Sequence, residues 1–247
     1  MLVRLTYGAI LAAICLPSDA YAAERFIPDC AGPVAIAHGR VARVEKNGEL
    51  ILSDGRILIL EGIRLVDKSR AQAALNALAL AGPVNFTSLT PDRYGRLRVQ
   101  GFGSVWLQGA LLEQGLAQVQ IAPDRSECAP DLYEAENSGR ARKAGIWALP
   151  AYAIRTPQNL KNAAGTFQLV EGVVSNIGRA DGRTFIDFGD RRSFAVMIGA
   201  ESRRTFRDFD FDELPGRRIR VRGIVQDYRG RPEIVLSNPY QIELLDN

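Results

Sequence analysis

Hydrophobic and polar residues alternate with a period of two over much of this chain, and short turn-forming pairs punctuate the alternation. Residues 35–45 read as a strand, with Val41 and Val44 among its apolar positions. Asn47-Gly48 makes a hairpin turn ahead of Glu49, and 50–53 returns. Asp54-Gly55 makes a second hairpin, and 56–63 runs as a third strand. The period then changes. Ala71, Ala74, Leu75 and Leu78 share one face of a helix that Asp67 or Ser69 can cap and Gly82-Pro83 stops. A strand at 84–89, a turn at 92–96 and a strand at 97–102 follow. A short helix over 105–114 ends at Gly115, a strand occupies 117–121, and Cys128 precedes a third helix. Pro130 suits that helix's first turn, and Glu136 and Arg140 are spaced for an i,i+4 pair.

Five strands with inserted helices is the grammar of an OB-type barrel, so the fold class is mainly β with inserted helices (α+β). Residues 150–165 carry Pro150 and Pro157 and no clear period, and read as a linker. The second half repeats the pattern of a small barrel. Strands are expected at 167–177, 184–188, 193–198, 217–225 and 233–236, with a helix at 201–209. That order predicts a second OB-like unit over 166–247.

Composition adds the compartment. A single basic residue, an apolar run at 5–16, a break at Pro17 and small residues around Ala22 make the layout of a secretory signal peptide, residues 1–22, cut after Ala22. Export would leave Cys30 and Cys128 in an oxidising compartment, where a disulfide between them is the leading reading and two free thiols the other. Localisation is then periplasmic or secreted, with no integral membrane segment in the mature chain. The net charge is only +3, so any nucleic-acid contact must come from a local patch. The single histidine, His38, excludes multi-histidine metal sites and reads as an ordinary strand residue.

Four segments carry a resemblance to a known family. They are Leu60-Glu61-Gly62-Ile63, Asp92-Arg93-Tyr94-Gly95-Arg96, the run from Leu111 to Ala117, and Glu136 with Arg140 through Gly145-Ile146-Trp147. In this order and spacing, the chain from His38 to Trp147 resembles the staphylococcal-nuclease-like (thermonuclease) family, and the first domain is expected at 23–149. The resemblance implies phosphodiester cleavage with a calcium ion, two arginines and a glutamate. Calcium wants carboxylate oxygens, ion and arginines offset charge growing on the phosphate, and the glutamate handles the attacking water.

Carried across, the arginine after the Tyr-Gly turn is Arg96, and the first acidic ligand is Glu49. The other arginine falls on Ile59, the second calcium aspartate on Arg64, and the glutamate on Asp67. A shifted register makes Asp67 a calcium ligand, moves the base to Arg70 and the lost arginine to Gly62. Neither restores the full set. Asp67 also reads as a helix cap, Glu49 as a hairpin residue, and Arg96 as a brace for its own turn.

The expectation is an exported thermonuclease-like protein with a degraded catalytic site, binding nucleic acid or an envelope partner. Arg64, Arg93 and Arg96 are the candidate phosphate-binding residues, and no cofactor is expected. The alternative is an active metal-dependent nuclease using Glu49, Asp67 and Arg96 with calcium; a third reading is a structural envelope module. Arg218, Arg220 and Arg222 alternate along one strand and, with Phe185, Phe188, Tyr228 and Tyr240 from elsewhere on the chain, are a second candidate nucleic-acid surface if those aromatics are exposed, or part of a barrel core if they are not.

Overall fold

The computed structural model describes residues 30, 36–87, 91–124, 126–160, 162–189 and 193–245. The expected signal peptide lies outside them. The first unit opens with the predicted meander: β1 (Ile36–Val44), β2 (Leu50–Leu52) and β3 (Ile57–Leu60). A short β4 (Ile63–Leu65) leads into α1 (Lys68–Ala79). Then come β5 (Pro83–Thr87), β6 (Arg96–Val99), β7 (Gly101–Phe102), α2 (Leu107–Glu113), β8 (Ala117–Val119) and α3 (Ala129–Ala141). Six strands form one sheet in the order β6-β3-β2-β1-β5-β7, and β4 pairs with β8 beside it. The apolar face predicted for α1 buries Ala71 and Leu75 against Leu58, Phe86 and Leu111 in one core.

Gly48 has a positive φ of 88°, and a Cβ there would lie 2.3 Å from the Leu65 side chain. Both the turn conformation and the close approach therefore require glycine. The tightness of this turn fixes where Glu49 points. The expected disulfide is formed: Cys30 is bonded to Cys128, the residue that caps α3.

The second unit contains β9 (Phe167–Val173), β10 (Asn176–Ala180), β11 (Arg183–Asp187), β12 (Ala195–Ile198), β13 (Arg218–Tyr228), β14 (Arg231–Leu236) and β15 (Ile242–Leu244). Their sheet runs β10-β11-β12-β14-β13-β15, with β9 also on β13. The single strand expected at 167–177 is two strands: β9 follows β13 as far as the Val174 N–H bond to the Arg217 carbonyl, and β10 then pairs with β11 instead.

The helix expected at 201–209 does not form. A 3-10 turn at Ala200–Ser202 is followed by further turns. Phe206, Phe209 and Phe211 gather into an aromatic cluster there. A spacing of three and then two residues cannot share one helical face, so packing overrides any local helical tendency. The segment expected as a linker is also packed: Leu160 and Ala163 are buried in the second core, and Arg155 bridges to Val170 of β9.

The units meet across α3, β8 and β13. The Arg222 Nη2 donates to Glu136 Oε2 at 2.9 Å, and its Nη1 donates to the Val119 carbonyl at 3.1 Å. Asn238 donates to the Ile121 carbonyl at 3.1 Å, and the Tyr133 hydroxyl donates to the carbonyl of Tyr240.

Candidate functional site

A cleft of about 240 Å³ opens beside the first hairpin, and Gly48, Glu49, Ile59, Arg64, Leu65 and Arg96 are among its lining residues. Three different elements position its charged groups. Glu49 sits on the tight turn before β2, Arg96 starts β6 and Arg64 is central in β4.

Arg96 is held at several points. Its Nη1 donates to Glu49 Oε1 at 3.0 Å and its Nε to Asp92 Oδ2 at 2.9 Å. Asp92 ties the turn as well, because its Oδ1 accepts from the backbone N–H groups of Tyr94, at 2.8 Å, and Arg96, at 3.0 Å. The backbone bond from Arg96, followed by its side-chain bond, keeps the Asp92 carboxyl below its ordinary pKa. The bonds to Asp92 and then Glu49 raise the Arg96 pKa above its usual value.

Arg64 also lines the cleft. Its Nη1 donates to Gln118 Oε1 at 2.6 Å, its cross-strand partner in the β4–β8 ladder. Its Cζ lies 4.6 Å from the centre of the Phe167 ring, which belongs to the second unit. Burial lowers its pKa, yet an arginine remains charged at neutral pH. Gln118 and Phe167 were invisible to sequence reasoning. Only the strand register and the packing of the second unit bring them to Arg64.

The other predicted residues fall outside this cleft. Asp67 caps α1, accepting from the Arg70 N–H at 3.1 Å, with the Arg70 side chain 3.6 Å away. It does not line the cleft. Arg93 is exposed, 4.7 Å from the centre of the Tyr94 ring, and Tyr94 is itself 63 % exposed. Gly62 faces the core: a Cβ there would lie 2.4 Å from Leu132. The cleft thus brings together Glu49, Ile59, Arg64 and Arg96, four of the five positions of the first register, and leaves out its fifth, Asp67.

These donors do not fit the calcium ion that the resemblance implies. The cleft lining offers one carboxylate, already bonded to the Arg96 guanidinium, and includes a second arginine, Arg64. Among the described residues no cluster of three or more histidine, cysteine, aspartate or glutamate side chains is placed to hold a metal.

The second predicted surface needs correction. Arg218, Arg220 and Arg222 do share one face of β13, but Arg220 and Arg222 are buried and only Arg218 is exposed. Arg222 is 2 % exposed and Arg220 8 %. Arg220 bonds to Glu171 and Glu243, Arg222 to Glu136 and Glu243, and Arg218 to Glu171. A sequence shows the alternation of a strand but not what lies across from it. Arg222 joins the two units through Glu136, Arg220 and Arg218 are paired within the second unit, and the three do not present an open platform.

Residues 68–149 match the family model described as staphylococcal nuclease homologue. The first unit is therefore a staphylococcal-nuclease-like domain, and the resemblance of its motifs and fold holds. The matched span includes Arg93, Arg96 and all three helices. It begins one residue after Asp67, so Glu49, Ile59, Arg64 and Asp67 all precede it. No curated protein matches the chain. The disulfide fits an oxidising compartment. Among the described residues no helix is long and apolar enough to cross a membrane.

Proposed function

We propose that this is an exported nucleic-acid-binding protein in which the nuclease cleft holds phosphate without cleaving it. The observation that supports this reading is Arg64 in the cleft wall, bonded to the Gln118 amide and not to a carboxylate, while Arg96 already engages both Glu49 and Asp92. Such a wall attracts an anion and repels a divalent cation. A phosphate approaching Arg64 meets a cation that its Gln118 and Phe167 contacts hold in place, so little side-chain freedom is lost on binding. Outside the cleft, on the same turn as Arg96, Arg93 and the exposed Tyr94 ring add a further charge and a stacking face.

The catalytic set is incomplete in the same way. Ile59 offers no charge to the phosphate, and Asp67 is engaged as a helix cap. Absence of one such stabilising group costs on the order of 100-fold in rate.

The test uses the disulfide-bonded chain with single- and double-stranded DNA and RNA, with calcium and with a chelator. Binding without strand scission is expected under every condition. Calcium-dependent scission that disappears in Arg96→Ala would replace this reading with that of an active nuclease.

A further inference from the structure

The Arg64–Phe167 contact is also where two hollows of the molecule meet. On one side lies the cleft, with Arg64 in its wall. On the other, Phe167 lines a second hollow of about 230 Å³ between the two units, together with Gln120, Ile224, Gln226, Ser237 and Gln241. The two share a wall made of one arginine and the ring stacked on it.

The sheet geometry extends this second hollow outward. Side chains alternate along a strand, so the face of β13 that carries Arg218, Arg220 and Arg222 continues as Ile224, Gln226 and Tyr228. Arg222 is shut against the first unit, and Arg220 and Arg218 are paired with Glu171. Beyond them the same face is open to solvent, with Ile224 55 % and Tyr228 49 % exposed. Arg229 lies 5.4 Å from the Tyr228 ring. An apolar and aromatic stripe bearing amide side chains therefore leads away from the positively charged cleft.

We propose that cleft and stripe form one track for single-stranded nucleic acid, with phosphates at Arg64 and Arg96 and bases lying against Phe167, Ile224 and Tyr228. The proposal rests on the reading of the cleft as a phosphate site. Rings and apolar side chains contact base faces that a duplex keeps stacked inside, so the strand must be single. The free amide of Gln226 can donate and accept along a base edge. Arg222 beneath the stripe is consumed by Glu136 and Glu243, so the stripe contributes stacking more than charge.

The test measures anisotropy of labelled single-stranded oligonucleotides from about 3 to about 16 nucleotides on the full disulfide-bonded chain. Affinity should rise with length beyond what the cleft alone can cover, with little change in the slope of log affinity against log salt. Ile224→Glu and Gln226→Glu alter exposed positions. Each should weaken the longest oligonucleotides about tenfold and leave the shortest unchanged. Equal affinity of wild type and variants at every length overturns the track and leaves the cleft reading standing. Absence of binding at all lengths overturns both.

Discussion

The guanidinium of Arg222, on a strand of the second unit, lies 2.9 Å from the carboxylate of Glu136, on a helix of the first, and neither is more than 2 % exposed. Glu136 Oε1 also accepts from the Val119 N–H at 2.7 Å. Burial works against the charge on Arg222, but Glu136, Tyr133 and Glu243 outweigh it and hold the group charged. A helix that completes the nuclease-like domain thus also anchors a second unit. Arg222→Met leaves the buried Glu136 carboxylate with only the more distant Arg140, 3.8 Å away, and should cost about 3–5 kcal/mol. The pair Arg222→Met with Glu136→Gln should cost clearly less than the sum of the single changes, as urea unfolding of all four proteins would show.

The same junction predicts a response to alkali. Burial pushes the Tyr133 hydroxyl up from 10.0 to about 12. A group that stays protonated longer in the folded state makes the unfolded chain the first to release its proton as pH rises. Stability should therefore be unaffected below about pH 10 and fall by about 1.4 kcal/mol per pH unit from there to about pH 12. In Tyr133→Phe this component of the slope should vanish, which urea midpoints taken across that range would reveal.

Asp67 separates the binding reading from the catalytic one. As a cap it contributes about 1 kcal/mol, so Asp67→Ala should lower thermal stability by that amount. Oligonucleotide affinity should not change. A large loss of binding or of any cleavage in a folded Asp67→Ala protein would place the residue in the working site.

The disulfide closes a long loop, with a sequence separation of 98 between Cys30 and Cys128. Reduction, or Cys30→Ser with Cys128→Ser, should cost about 2–4 kcal/mol. The loss should appear in thermal melts with and without reductant.

Much of the first unit was legible because its signals are local. Asn47-Gly48, Asp54-Gly55 and the spacing of Ala71, Leu75 and Leu78 specify turns and a helix from within a few residues. The charged residues were harder. The alternation of Arg218, Arg220 and Arg222 was readable, but their partners Glu136, Glu171 and Glu243 lie on three other elements, so the sequence resembled an exposed platform where the fold makes an inner joint. Arg64 was recognisable as a cation in a place where the family uses a carboxylate. Its supports, Gln118 and Phe167, depend on a two-strand ladder and on the second unit, neither of which leaves a local pattern.

The most direct measurement is the affinity of a short single-stranded oligonucleotide for the intact protein as a function of salt, with calcium and with chelator, beside Arg64→Glu. The cleft described here predicts binding that weakens steeply as salt rises, is indifferent to the chelator and falls at least tenfold in the variant, with the oligonucleotide recovered uncut. Binding that requires calcium, or oligonucleotide cut only in its presence, would contradict it.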